Sequence, residues 1–531
     1  MLFTTYKFIF FLIALFIIYY SVKPKYQWIV LLVFSYVFYA FAGIKYITYI
    51  LLSTIVIYTV GVIIGNISQK QKNYLMVNKD VLSKEEKKKF KAASKKKQKM
   101  WLLAALIINL GVLISVKYLN FFIMNTNSIM HLLNPDMKAV SYVNIIMPLG
   151  ISFYTLQAIG YIVDVYRNII PAEKNFFKLA LFISFFPQVV QGPISRYNDL
   201  SKTLYGGDSF NYHKFVSGIQ RVLWGFFKKL VIADCIAPAV NTIIKDYVNY
   251  NGGYILALIF MYTIELYADF TGGIDITIGI SESLGITVSE NFNRPFFSKS
   301  LKEYWRRWHI TMCEWFRNYV FFSISSSHFI KKITKFSKNH FGDYIGKRFP
   351  VYIASFVTWF ATGIWHGANW NFIVWGLINW LILMISEELE PLYEKFHKKS
   401  NFSNGLLYTV FEILRTFLLV SCLNLFDCYA TLKETFNAFL SIFTVHNWNI
   451  LVDGSMLNIG IKITDYMVIA IGVLIMLMVS LFQRKGSVRE QISVKSYPVK
   501  LVIWALLVVC IVICGTYGIG YDGSQFIYNR F

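Results

Sequence analysis

The stretch "TWFATGIWHGANWNFIVWGL", Thr358 to Leu377, sets an imidazole inside a segment that otherwise reads as membrane. From Val351 to Ser386 the chain runs 36 residues without a Lys, Arg, Asp or Glu, and His366 lies near the midpoint. At about 1.5 Å per residue, a helix entering at Val351 reaches His366 after roughly 22 Å, well inside a hydrocarbon core of roughly 30 Å. With Phe349 and Glu387 at one face, the run must enter and return, and Gly363 and Gly367 bracket the histidine where the backbone is expected to turn. Non-helical backbone at that depth is tolerated only under a cover of protein or beside a water-filled cavity. The segment therefore reads as a hairpin with its tip in a cavity. His366, Asn369 and Asn371 fall near that tip, with Trp359, Trp365, Trp370 and Trp375 expected to line its narrow part.

The rest of the chain fits this setting. Its 531 residues are 56% hydrophobic and only 15% charged, and the mean hydropathy of +0.50 excludes a soluble multidomain protein. Apolar runs of crossing length recur from end to end, so the expected fold is all-α: a polytopic helical bundle of about a dozen spans, some re-entrant, around a central cavity. No internal repeat and no Pro- or Ser-rich linker divides it, and residues 1–531 read as one integral membrane domain. The first run, Tyr6 to Tyr20, has no small-residue cleavage site after it and reads as a retained helix. The six cysteines match neither zinc spacing nor a disulfide framework, so they read as packing residues and no metal site is expected.

A formal net charge of +23 raises the question of nucleic acid, and the distribution of that charge answers it. Between Asn66 and Met100, twelve lysines face only Asp80, Glu85 and Glu86. A basic loop between two spans is what the positive-inside rule places in the cytoplasm, against anionic lipid, and nucleic acid is not the expected partner. This low-complexity segment, residues 66–100, is expected as a helical or partly ordered cytoplasmic insert. Counting back three spans places the N-terminus outside. A second basic stretch, "HFIKKITKFSKNHFGDYIGKRF" from His328, also belongs in the cytoplasm.

Ionisable residues inside a membrane usually mark pathways or reactive sites, and imidazole exchanges a proton near pH 7. The competing reading of His366 is a structural histidine held by a neighbouring carbonyl. Of the other seven histidines, only His309 shares the apolar aromatic context, in "LKEYWRRWHITMCEWFRNYVFF" from Leu301 to Phe322. A helix there would group Trp305, Trp308, His309 and Phe316 loosely on one side, with Arg306, Arg307 and Arg317 near an interface. Asp269 and Asp275, in "ADFTGGIDITIGI", either line the cavity or pair with cations. The glycines of that segment, Gly272, Gly273 and Gly279, lack the strand and helix context of a nucleotide fold.

With these residues in view, the sequence resembles the membrane-bound O-acyltransferases (MBOAT), in the bacterial branch serving alginate O-acetylation and teichoic acid D-alanylation. The resemblance is carried by "PLGISFYTLQAIGYIVDVYRN", "FISFFPQVVQGPISRY", "ELYADFTGGIDITIGISESLGI", "ENFNRPFFSKSLKEYWRRWHITMCEWFRNYV", "ATGIWHGANWNFIVWGL" and the terminal "YDGSQFIYNRF". These stand collinearly, most of them between about residue 140 and residue 380, the expected family core. Relatives carry Asp where this chain has Asn318, which puts in doubt a carboxylate near Arg317.

The resemblance implies an enzyme that moves an acyl group across a membrane, with His366 as an essential histidine and His309 as a second important one. Such chemistry needs the attacking hydroxyl deprotonated and the carbonyl oxygen stabilised. His366 fits the base. His309, Asn369 or a backbone N–H near Gly367 are the candidates to polarise the carbonyl, and Asn369, Trp305, Arg317 and Asp269 are candidate substrate contacts. No G-x-S-x-G elbow or Ser-His-acid set is found. No bound cofactor is expected; acetyl-CoA or a carrier-protein thioester would be the cosubstrate on the cytoplasmic side. The family also implies a separate extracytoplasmic protein that completes transfer to a polysaccharide. Acetyl transfer leads, D-alanyl transfer follows, and a transporter or flippase of a precursor is the competing class. The setting is a bacterial plasma membrane.

The orientation is testable. Single cysteines at Lys96 and Lys335 in a cysteine-free background should resist a membrane-impermeant thiol reagent in intact cells and react after permeabilisation. Labelling of either in intact cells would reverse the topology.

Overall fold

The computed structural model describes residues 3–400 and 405–517, so the terminal "YDGSQFIYNRF" motif lies outside the described residues. Among the described residues the chain forms helices and no strands, as expected of a backbone that must satisfy its own polar groups in lipid. Seven helices are long and apolar enough to cross a membrane: Ile44–Val77, Lys84–Lys117, Gly253–Ser283, Trp370–Lys399, Leu406–Asp427, Ile463–Lys485 and Tyr497–Cys514. Other expected spans are shorter or broken. Tyr6–Ser21 has 16 residues and Gln27–Ala40 has 14, while the run from Phe176 splits at Phe185 into Phe176–Ser184 and Phe186–Val189, the latter opening with Pro187. Apolar composition sets where chain is buried; it does not set how long a helix stays unbroken.

The chain folds into two compact units. One comprises the N-terminal residues through Phe215 with Ser281–Val288; the other comprises Val216–Ile280 and the residues from Ser289 onward.

In the first unit the lysine-rich segment is helical. Ile47–Val77 carries its first part, Lys84–Lys117 the rest. The turn between them closes with a capping box: the Glu86 amide donates to Ser83 Oγ at 3.2 Å and the Ser83 amide donates to Glu86 Oε2 at 2.8 Å. Tyr74 and Phe90 pack across the arms with ring centroids 4.3 Å apart. Further along, Ser53 Oγ donates to Asn109 Oδ1 at 2.6 Å in the buried seam. Lysine is a good helix former and its stem packs while its head stays wet, so the charged arms extend the two spans.

In the second unit the uncharged run forms the expected hairpin. Helix His328–His366 is interrupted at Gly342 (φ 82°) and ends at His366, and the chain returns as Trp370–Lys399. Its open end is fastened by polar groups: Arg348 pairs with Glu388 at 2.8 Å, Tyr344 Oη donates to Glu388 at 2.6 Å, and Lys302 pairs with Glu387 at 3.0 Å. Both ends of the run therefore sit at one level.

The glycines do something other than expected. Only Gly367 lies in the turn; Gly363 is helical. A Cβ on Gly363 would come within 2.5 Å of the Phe372 carbonyl oxygen, and one on Gly376 within 2.6 Å of the Trp359 oxygen, so the two arms touch backbone to backbone. Gly272 and Gly279 behave alike, a Cβ on each falling within 2.9 Å of the Gly225 oxygen and 2.6 Å of the Gly218 oxygen. Gly376→Leu should therefore lose about 1–3 kcal/mol by overpacking, seen as a lowered thermal transition of the detergent-purified protein. Gly111→Ala, inside a helix and with nothing within 4 Å of the new Cβ, should not lower it, since alanine favours helix over glycine. Equal behaviour of the two variants would refute the backbone contact.

Candidate functional site

His366 ends its helix half-buried, with its ring edge-on to Trp375 at 4.8 Å and to Trp365 at 5.2 Å. It opens on a narrow cavity. Its lining is apolar (Leu266, Val420, Leu423), aromatic (Tyr304, Trp305, Trp308, Trp375) and polar (Asn379, Asn424, Asp427). The aromatic wall is set by hydrogen bonds. Trp305 Nε1 donates to Asn379 Oδ1 at 3.0 Å, and Asn379 Nδ2 donates to the Trp375 carbonyl at 2.9 Å. Trp359 backs this wall, 5.1 Å from Trp305 and 6.2 Å from Trp375. An imidazole beside a cavity lined by both aromatic and polar side chains can exclude water and still hold a polar group.

His309 is placed differently from the expected continuous helix. Helix Leu301–Arg307 stops, His309 takes the left-handed conformation (φ 47°, ψ 51°), and Ile310–Trp315 begins. The break turns the imidazole into the core, where it is fully buried and packs on Phe270 at 4.9 Å and Trp365 at 6.1 Å. His309 does not line the His366 cavity; the two histidines share Trp365 as a neighbour.

Asn291 holds this turn. Its carbonyl accepts from the Ile310 amide at 3.0 Å. Its side-chain oxygen accepts from the Thr311 amide at 3.1 Å and from Thr311 Oγ1 at 2.9 Å, which identifies that atom as Oδ1. The same oxygen lies 3.3 Å from His309 Nδ1. Facing an acceptor, Nδ1 is the ring nitrogen placed to carry the proton.

Of the other residues singled out from the sequence, Trp305 lines the cavity. Asn369 caps the return helix: its Oδ1 accepts from the Asn371 amide at 3.0 Å and its Nδ2 donates to the Ala430 carbonyl at 2.7 Å. Arg317 is surface-exposed and pairs with Glu314 at 3.4 Å. Asp269 is buried against Lys229 at 2.6 Å, and Lys229 also reaches Asp234 at 2.8 Å. Trp365 and Trp375 contact His366, whereas Trp370 is 47% exposed.

The sequence reading missed Asn291, Asn379, Asn424 and Asp427. Asp427 carried the signal used for His366: it is the only carboxylate between Glu412 and Glu434, in an apolar run. It is hydrogen-bonded to Tyr262, and Asn424 Nδ2 donates to Thr263 Oγ1 at 3.1 Å. Asn291 stands in the quoted "ENFNRPFF" and nothing local marked it.

Comparison with known proteins adds an independent line. The model of the MBOAT, membrane-bound O-acyltransferase family matches residues 170–337, a span that holds His309 and stops short of His366. A probable alginate O-acetylase of Azotobacter vinelandii is 32% identical over 395 residues, covering 73% of this chain and 69% of that protein. A peptidoglycan O-acetyltransferase of Helicobacter pylori is 27% identical over 404 residues, covering 71% and 68%. A teichoic acid D-alanyltransferase of Bacillus subtilis is 31% identical over 263 residues, covering 48% and 62%.

The placement of His309 is open to measurement. In protein labelled with 15N-histidine, with the His309 signals identified by their loss in His309→Gln, the Nδ1-protonated tautomer should dominate. Asn291→Leu should shift the balance toward the Nε2-protonated form. An unchanged balance would show that Asn291 does not orient the ring.

Proposed function

The chain belongs to the membrane-bound O-acyltransferase family, and on that premise we propose that it O-acetylates a polysaccharide outside the membrane, drawing on a thioester made in the cytoplasm. The observation that carries this reading is His366 at the tip of an uncharged hairpin, opening on a narrow cavity lined by aromatic and polar side chains. His366 takes the proton of the acceptor hydroxyl as its oxygen attacks the thioester carbonyl. The new C–O bond forms, the C–S bond breaks, and the thiolate recovers the proton from the imidazolium. With Nδ1 protonated, His309 presents an acceptor at Nε2, which suits a second proton-accepting or positioning role and leaves the carbonyl oxygen to other donors.

The range of the matches supports acetyl transfer. The alginate O-acetylase relative covers 73% of the chain, the D-alanyltransferase 48%. One feature favours D-alanyl transfer instead: Asp427 in the cavity wall would serve as counter-ion for an aminoacyl ammonium. The protein is multi-pass; the basic arms support a plasma-membrane orientation with the lysines in the cytoplasm and the N-terminus outside. A separate extracytoplasmic protein would hand the acyl group to polymer, and nucleic acid has no part.

Comparing surface polymers from strains with and without the gene by mass spectrometry should show loss of ester-linked acetyl groups, or of D-alanyl groups if the second reading holds. His366→Ala should lower esterification by about 100-fold to 10,000-fold at near-normal protein abundance, and His309→Ala should impair it severely. Full esterification by His366→Ala would overturn the mechanism.

A further inference from the structure

The lysine-rich arms of the first unit reach further than the field of anionic lipid does. Helix Lys84–Lys117 carries an apolar run from Trp101 onward and a charged run before it, and it is continuous across the two. From Trp101 back to Ser83 the chain covers roughly 27 Å, at about 1.5 Å per residue. Headgroups add only about 5–7 Å on each side of the hydrocarbon, and even a helix tilt of about 40° leaves the tip roughly 14 Å beyond them. The attraction of a charged surface falls off within a Debye length, about 8 Å at physiological salt. Lysines close to Met100 meet the lipid; those at the tip stand in water.

The tip is also where the arms have only each other. At their base, Ser68 Oγ donates to Asn168 Oδ1, and Lys95 Nζ donates to the Tyr166 carbonyl and lies 3.6 Å from the centre of its ring. Beyond that level the arms pair through Tyr74 and Phe90. Residues 72–91 hold seven lysines and no arginine against Asp80, Glu85 and Glu86, and Glu86 is engaged in the Ser83 cap. Among the described residues, no lysine between residues 70 and 99 pairs with a carboxylate. Lys84, Lys88 and Lys91 are exposed and, at i, i+4 and i+7, share one face of their helix.

The same tip holds apolar groups out to solvent. Met76 is 62% exposed, and Val77 at the end of its helix and Val81 in the turn are 82% exposed each. At this height no hydrocarbon covers them. Apolar side chains bordered by charge have the layout of a protein interface, an apolar centre within a polar rim. Lipid headgroups or a phosphodiester backbone would engage the lysines and leave the valines in water. Lysines steer an oppositely charged partner from a distance, and methionine adapts to the surface that arrives.

We propose that the tip of these arms, residues 72–91, docks a cytoplasmic protein whose surface sets carboxylates around an apolar patch. The assignment stands on the charge and reach of the arms, and it holds whatever group the unit containing His366 transfers.

The test uses the full chain in living cells. A photoreactive amino acid at Met76 is cross-linked, with Ile107, exposed within the span, as the lipid-facing control, and the adducts are identified by mass spectrometry. Met76 should capture an acidic protein and Ile107 should not. The triple variant Lys84→Glu, Lys88→Glu and Lys91→Glu should lower that adduct at least about tenfold. Val77→Ser with Val81→Ser should lower it without any change of charge. All five positions are exposed, and an unchanged thermal transition of each variant confirms its fold. The captured protein, once purified, should bind the chain in phosphatidylcholine nanodiscs and lose at least about tenfold in affinity between about 50 and about 300 mM salt. Adducts with lipid or RNA alone, no adduct at all, or a protein adduct indifferent to both variants would overturn the proposal.

Discussion

A hairpin can hold a histidine deep in a membrane only if its two arms approach closely enough to leave lipid no way in. Here that approach is made by backbone. The Trp359 oxygen lies 2.6 Å from where a Cβ on Gly376 would stand, and the Phe372 oxygen 2.5 Å from one on Gly363. Bulkier side chains at those two positions would part the arms, and with them Trp359 and Trp375, which hold the Trp305 indole between them. The cavity wall, the orientation of Trp305 through Asn379, and the site of His366 all follow from one close crossing.

Much of this was legible because lipid enforces it. An uncharged run of 36 residues whose two ends lie at one face must enter and return, and the Arg348–Glu388 pair joins those two ends. The lysines between Asn66 and Met100 were legible as one basic segment, although its helical continuity with the flanking spans rests on the Ser83 cap and the Tyr74–Phe90 contact. The His309 break was not legible. No proline or glycine stands at Trp308 or His309, and the bonds that stop the helix come from Asn291, eighteen positions earlier. Asn379 and Asn424 were hidden for a related reason: an asparagine in an apolar helix looks the same whether it faces a cavity or a neighbouring helix.

Buried charge imposes a second constraint on the same unit. Lys228 and Lys229 are consecutive, about 100° apart around a regular helix, yet each finds its own aspartate, Asp275 and Asp269, on one facing helix. The segment Phe227–Ala233 is a π-helix, and its wider turn readjusts the register of the two lysines toward that helix. These pairs belong to a larger network, since Lys229 also reaches Asp234 and Asp275 also reaches Arg221. The glycine crossings at Gly272 and Gly279 bring the same two segments together, so close packing and charge matching support each other.

Arg294 and His309 are joined by more than sequence proximity. Asn168 is the one other non-glycine residue with positive φ among those described, and asparagine tolerates that region well. Arginine tolerates it less readily, and here Arg294 and His309 bracket a segment tied across its neck by Asn291 to Ile310 and by Asn293 to Arg307. Such a neck allows little independent motion at either end: a shift that relaxed Arg294 would pull on Arg307, hence on helix Leu301–Arg307, hence on Trp305 and Trp308 in the wall that His366 faces. Strain kept on both sides of one short helix is a form of preorganisation: it fixes Trp305 and Trp308 in the lining of the His366 cavity, so that little is spent on ordering them.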